Sequence, residues 1–349
     1  MEYAAYTIQG DGVTLYRLYG TGPAVEVPAR IDGRKVTKLA DHLFADEMSV
    51  LCDSKQMLLA VQKGSEWIKL EEGQTAASRS LLGQEALCGE KVGAVYIPEG
   101  VRQIGNYAFY GLYQLKEVCF PSTLQRIGWG MFNACRRTER IVFRLTEPED
   151  GRDTYETPAM MKEVVDSLSN EIDAVVIRGE EEWYRLRFPA YYEEGKENTP
   201  ARIIEIIYHG TGHQYRNCFL NRELQFDRYD EVFPLAAAQE SPMTNVHLIL
   251  NRLRSGPLVN EDILKRYLDY LRQENEVMME VILSDPEFDP ALTLRMLDHR
   301  NLFTRACLDQ SIRIASEKKI PSAVSCLMDI RARRFPQETD RKRRSRYAL

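Results

Sequence analysis

Ile97-Pro98, Ile104-Gly105 and Ala108-Phe109 recur 23 residues later as Phe120-Pro121, Ile127-Gly128 and Met131-Phe132. An earlier copy, Leu82-Gly83-Gln84-Glu85-Ala86-Leu87, begins 22 residues ahead of Ile104. A fixed period in the twenties marks a solenoid, in which no unit can bury its own apolar face and each must stack on the next. Such stacks present extended surfaces that bind other molecules.

Within one unit, Leu115, Val118 and Phe120 form a short apolar run that suits a strand with side chains filling the interior. Pro121 ends that strand because it has no N–H to give a ladder. Gly105 and Gly128 permit a backbone bend, after which Phe109 and Phe132 plug the interior. A looser copy runs from Val27-Pro28 through an insertion at Ile31–Lys35 to Val36, Leu39 and Phe44. Thr7–Gln9 and Val13–Tyr16 flank Asp11-Gly12, the signal of a hairpin, expected here to cap the first edge of the stack. Met57–Val61 and Trp67–Leu70 read as a degenerate unit with a strand pair around Lys63-Gly64.

The run Ile-Pro-x-x-Val-x-x-Ile-Gly-x-x-Ala-Phe at 97–109, with Phe120-Pro121, Ile127-Gly128, Phe132 and Cys135 behind it, resembles the BspA-type leucine-rich repeats of bacterial proteins. The resemblance covers roughly 100 residues. It implies a leucine-rich repeat solenoid that binds protein. Family members are often surface proteins implicated in adhesion, which makes a surface-exposed or host-directed adhesin-like role one alternative. Against it, Met1–Ile8 has neither a basic nor an apolar signal region, so the chain as written is expected in the cytoplasm.

Stacking also specifies a surface. With Val118 and Phe120 inward, Glu117 and Cys119 point outward. A step of 23 then aligns Ala94, Glu117 and Arg140 in one column and Tyr96, Cys119 and Val142 in the next. These six are the partner-binding candidates. The same columns would equally fit an outward sheet face covered by the rest of the chain.

The 349 residues carry 44% hydrophobic and 28% charged side chains, the composition of a folded chain of about two domains. No run of 18 apolar residues occurs. Seven scattered cysteines, none spaced CxxC, suggest neither a zinc site nor a redox dithiol, and no metal or cofactor is expected. The net charge of −6 hides a basic end: Arg331, Arg333, Arg334, Arg341, Lys342, Arg343, Arg344 and Arg346 face only Glu338 and Asp340. The remaining surface is acidic and repels nucleic acid.

The polar stretch Thr146–Asp153 is the expected domain boundary. Beyond it, Met160, Met161, Val164, Val165 and Leu168 recur at helical spacing. Ala174–Ile177 and Arg202–Tyr208 read as strands, Glu180–Leu186 as a helix stopped by Pro189, and Tyr229–Ala238 as another helix. This region contains His209-Gly210-Thr211-Gly212-His213-Gln214-Tyr215-Arg216-Asn217-Cys218. His209, His213 and Cys218 could form a nucleophile–base pair or ligate a metal, and Arg216 could balance a phosphate cradled by the glycines. The plainer reading is a Gly-Thr-Gly turn joining two strands. Glu180–Glu182 and Glu193-Glu194 read as solvated acidic faces.

From 241 onward, apolar stripes at helical spacing define six helices with short joints. The pair Ile314–Lys319 and Ala323–Met328 resembles the helix–turn–helix of ankyrin repeats, which again implies a scaffold. The fold class expected is therefore an α/β leucine-rich repeat solenoid with its hairpin cap (1–145), a small α+β joint (150–240), an all-α helical-hairpin array (241–335) and a basic tail (336–349). The function expected is a non-catalytic scaffold or adaptor whose partner is another protein. No small-molecule substrate or nucleic acid is foreseen, and membrane contact only through the tail. An enzyme using the 209–218 segment is the rival.

Overall fold

The computed structural model describes residues 2–45, 57–71, 86–146, 155–198 and 203–336. These form two compact units, one ending at Gln225 and the other beginning at Phe226. Residues 82–85, most of the expected boundary (147–153), Cys52 and the tail from 337 lie outside the described residues.

The first unit opens with a hairpin of β1 (Tyr3–Gln9) and β2 (Gly12–Tyr19), turning at Gly10, whose φ of +59° suits glycine. The first coil comprises β3 (Ala24–Glu26), β4 (Arg30–Ile31) and β5 (Arg34–Leu39) and ends at buried Phe44. A second hairpin, β6 (Leu58–Lys63) and β7 (Glu66–Lys69), pairs through β6 onto β1, so the expected strand pair around Lys63-Gly64 is present. Two further coils contain β8 (Ala94–Tyr96) with β9 (Gln103–Ile104), and β10 (Glu117–Phe120) with β11 (Arg126–Ile127). They lead into β12 (Arg140–Leu145) and a terminal hairpin of β13 (Ile172–Arg178) and β14 (Glu181–Phe188).

The coils stack in parallel register, giving one six-stranded sheet ordered β14-β13-β12-β10-β8-β3. An eight-stranded sheet follows the path β11-β9-β5-β2-β1-β6-β7, with β4 beside β5. Equivalent backbone bonds repeat from coil to coil. Gly105 N–H donates to Leu39 at 2.9 Å and Gly128 N–H to Ile104 at 2.8 Å; Phe44 donates to Ala108 at 2.9 Å and Phe109 to Met131 at 3.1 Å. The plugs share one dry interior: Phe109 lies 5.8 Å from Phe44 and 5.4 Å from Phe132, ring centre to ring centre. Spacings in this range are attractive and bury large apolar area. Neither Gly105 nor Gly128 has positive φ. Both are required by proximity, because a Cβ on Gly128 would overlap the backbone of Gly105 and Asn106 in the coil beneath.

The coil stacked directly on Ile97–Phe109 is the looser one ending at Phe44; of the 82–87 copy only Ala86 and Leu87 are described, Ala86 bridging Tyr19 and Leu87 N–H donating to Leu18. Three expectations need correcting in this unit. The N-terminal hairpin caps one sheet only, since β2 pairs with β5 and leaves β3 at the edge of the other. The stack does not stop near 146: β13 pairs in parallel with β12, and Asp173 N–H donates to Glu139 as Glu139 does to Lys116. Glu180–Leu186 is not a helix but lies largely in β14, where Tyr184, Leu186 and Phe188 are buried at strand period while Arg187 pairs with Asp173 at 2.7 Å. A β-hairpin thus closes the far end of the stack where an independent joint was expected.

The rest of the first unit comprises helix Met161–Asp166, a two-stranded ribbon of β15 (Tyr192–Asn198) and β16 (Ile203–His209), helix Gly212–Arg216, and the short pair β17 (Phe219–Leu220) and β18 (Glu223–Leu224).

The second unit begins with two short helices, Phe226–Glu231 and Phe233–Gln239, where one was expected over 229–238. Pro234 explains the break, since it has no N–H for an ongoing helix but suits a first turn. Six helices follow as expected: Pro242–Arg254, Glu261–Gln273, Asn275–Ser284, Pro290–His299, Arg305–Glu317 and Pro321–Arg334. Ser241, Asn260, Asp289 and Thr304 cap four of them through side-chain oxygens. Arg305–Glu317 and Pro321–Arg334 pack most extensively on each other, and the other main contacts join helices two places apart, such as Pro290–His299 with Pro321–Arg334 and Asn275–Ser284 with Arg305–Glu317. Arg252 is buried in a two-pronged pair with Asp230 (2.8 and 2.9 Å), and the Tyr267 hydroxyl donates to the same carboxylate at 3.0 Å. Among the described residues no helix is long and apolar enough to cross a membrane.

Candidate interface groove

Both predicted columns are in register. Glu117 lies between Ala94 and Arg140, and Cys119 between Tyr96 and Val142. Both columns continue beyond the prediction, to Ala24 and Glu26 on β3 and to Asp173 and Val175 on β13. Glu117 and Arg140 form an ion pair at 3.4 Å. Burial, with the neighbouring Glu117 charge, pushes the Tyr96 hydroxyl above its ordinary pKa.

The apolar column is not open surface, however. Cys119 is 3% exposed and Val142 4%, and with Val175 they form a small core under Tyr96 and Ile177. Burial pushes the Cys119 thiol up, and the nearby Arg144 charge offsets this in part. Of the six candidates, Cys119 and Val142 therefore stabilise the sheet from its outer side. Tyr96 remains half-buried at the margin of a cavity of about 970 Å³.

That groove has walls from both sheets. Glu26, Val27 and Pro28 at the end of β3, Tyr96 and Pro98, and Arg144 form one side; Trp67 and Ile68 of β7 stand opposite. Asp32 N–H donates to the Trp67 carbonyl at 2.9 Å, fixing the β6–β7 hairpin beside the first coil. Trp67 is buried, whereas Ile68 is 40% exposed. Apolar, cationic and anionic groups thus share one concave surface, the mixture expected of a recognition site.

Sequence reasoning missed Glu26, Trp67, Ile68 and Arg144. Glu26 belongs to the Tyr96 column but sits 70 positions earlier, so a step of 23 does not reach it. Arg144 follows two places after Val142 and could have been found by extending the alternation of β12.

The rival site is accounted for by structure. Gly210, with φ +84°, turns β16 into helix Gly212–Arg216 rather than into a second strand. His209 Nε2 lies 2.9 Å from Glu194, and its ring stacks on Tyr192 at 4.4 Å. His213 stacks on Tyr208 at 3.6 Å and bonds Asn217 at 2.9 Å. Cys218 is 3% exposed, with its thiol directed to the Gln214 carbonyl at 3.3 Å. Arg216, 2% exposed, donates to the carbonyls of Val165, Leu168, Pro189, Gly212 and Asn170 and so ties the helix to two loops. Burial lowers its pKa to about 10, which leaves it charged at neutral pH. Among the described residues no cluster of three His, Cys, Asp or Glu is placed to hold a metal.

The six described cysteines (Cys88, Cys119, Cys135, Cys218, Cys307, Cys326) are buried, and none is disulfide-bonded to another described cysteine. Burial pushes the thiols of Cys119, Cys307 and Cys326 up, and that of Cys135 to about 12. Alkylation of native protein at pH 8, followed by peptide mapping, is expected to modify all six at least about tenfold more slowly than in denaturant. A native Cys218 that reacted as fast as in the unfolded chain would restore it as a candidate nucleophile.

Comparison with known proteins agrees with the repeat architecture. Residues 80–156 match the family described as BspA type leucine rich repeat region (6 copies). Among solved structures, the crystal structure of the T. pallidum leucine rich repeat protein (TpLRR) is similar at 19% identity and a TM-score of 0.19, covering 40% of this chain and 71% of that one. No curated protein matches the sequence.

Proposed function

We propose that this protein is a non-catalytic adaptor that recognises another protein through the groove between β3 and the β6–β7 hairpin. The single observation that supports this reading is the groove itself, which gathers half-buried Tyr96 and exposed Arg144 of the stacked-repeat sheet with exposed Ile68 of the β6–β7 hairpin. Anchors of this kind carry most of the binding energy where interfaces have been dissected. The repeat match at 80–156 supports a protein-interaction role. The compartment proposed is the cytoplasm, which suits the buried thiols of the described cysteines.

Affinity capture from lysate of the native organism tests the reading. A Tyr96→Ala/Ile68→Asp variant with unchanged thermal stability is expected to recover at least about tenfold less of any specific partner. A partner profile identical to that of the unaltered protein would leave the groove without a role.

A further inference from the structure

Parallel stacking leaves β3 as the last strand of the six-stranded sheet. The Pro23 carbonyl accepts from Ala94 N–H at 2.9 Å, and Val27 N–H donates to the Tyr96 carbonyl at 3.0 Å. Odd-numbered residues of β3 therefore direct their main-chain groups to β8. The amides and carbonyls of Ala24 and Glu26 point the opposite way, out of the edge of the sheet; both residues are exposed, and the end of the strand at Glu26 lines the groove. Proteins usually blunt such edges, and here Pro28 removes one donor, but two consecutive edge-facing residues remain.

We infer that the groove binds an extended, basic polypeptide segment that adds to β3 as a further strand of the sheet; this rests on the recognition role proposed above. Alternating N–H and C=O groups on an open edge are complemented only by another extended backbone, which names the ligand as polypeptide. Charge selects its side chains. Glu26 shares the outward face with Ala24, so the residue paired with Glu26 on an added strand would stand directly beside its carboxylate. Glu66 flanks the same groove on the hairpin side. Glu26 and Glu66 are exposed and neither is in an ion pair with a described residue; with Asp32 they outnumber the two guanidiniums, Arg30 and Arg144, that also line the groove. Side chains of opposite parity turn toward the sheet's other face, and Ile68 and Trp67, which line the same groove, offer them apolar contact. The segment recognised thus alternates basic and apolar residues.

The probe is a nine-residue peptide alternating lysine and valine, fluorescently labelled and titrated with the full chain. Two derivatives carry N-methyl groups on every lysine or on every valine amide. Strand addition predicts that one derivative loses affinity at least about tenfold while the other keeps it. Loss on the lysine-methylated peptide indicates an antiparallel addition, because Glu26 then pairs directly with a lysine whose amide faces β3; loss on the valine-methylated peptide indicates a parallel one. Glu26→Lys and Ala24→Pro, each checked for unchanged thermal stability, should both weaken the parent peptide about tenfold. Equal affinity for both N-methylated peptides overturns the inference. So does a failure to bind any peptide while Tyr96→Ala/Ile68→Asp still abolishes partner capture, a result that leaves the groove's recognition role standing. A dimer abolished by Ala24→Pro, with no peptide bound, would assign the edge to a second copy and overturn it as well.

Discussion

Arg216→Ala is expected to destabilise the first unit by about 3–5 kcal/mol, because it strands five carbonyls that a single buried guanidinium now satisfies. Hydrogen bonds from a charged donor are worth more than neutral ones, and a buried acceptor left without a donor costs more than the bond contributed. The guanidinium also lies over the Tyr191 ring at 5.0 Å, an attraction lost in the same step. Arg216→Lys should recover less than half of the loss, since an ammonium cannot span carbonyls from three directions. All three tryptophans, Trp67, Trp129 and Trp183, lie in the first unit, so urea unfolding followed by tryptophan fluorescence isolates it. A loss below about 1 kcal/mol for Arg216→Ala would show that the carbonyls find other donors.

Gly128→Ala, and Gly105→Ala likewise, should cost at least about 3 kcal/mol. At an unstrained position with ordinary φ this substitution stabilises a chain by about 0.4–1 kcal/mol, because it restricts the unfolded state. Here the added methyl would meet the backbone of the coil beneath, Asp41 and Ala40 for Gly105 and Gly105 and Asn106 for Gly128. Backbone cannot move aside without breaking the bonds from Gly105 to Leu39 and from Gly128 to Ile104. Gly64 supplies the control. It has φ +63° and open space around it, so Gly64→Ala should cost only the conformational strain of about 1 kcal/mol. If Gly128→Ala proved no worse than Gly64→Ala, close approach of the coils would not be what requires these glycines.

What was readable in the sequence follows from where the pattern is local. Phe109 and Phe132, Gly105 and Gly128, and the columns through Glu117 and Cys119 all lie a fixed step apart, and the structure stacks each set. The step of 23 does not show which coil the first one stacks on, because the segment between Phe44 and Ala86 interrupts the count, and a period cannot show what an insertion skips. β14 was taken for a helix because its alternation is hidden: Arg185, on the outward face, is itself buried and paired with Glu182 at 2.7 Å. The 209–218 segment looked chemical because its partners are remote. Nothing near Arg216 in the chain announces that it will hold carbonyls at 165 and 168.

The bond from Phe44 to Ala108 joins coils that touch directly in space yet are separated by an excursion of roughly fifty residues. The later coils, from β8 to β12, are by contrast contiguous along the chain and need only short closures. Loop closure must precede the contacts that reward it, so order of assembly follows from this layout. Nucleation belongs to the contiguous coils around Phe109 and Phe132, and the leading coil, with the edge strand β3, docks afterwards as a late and separable event on the folding route.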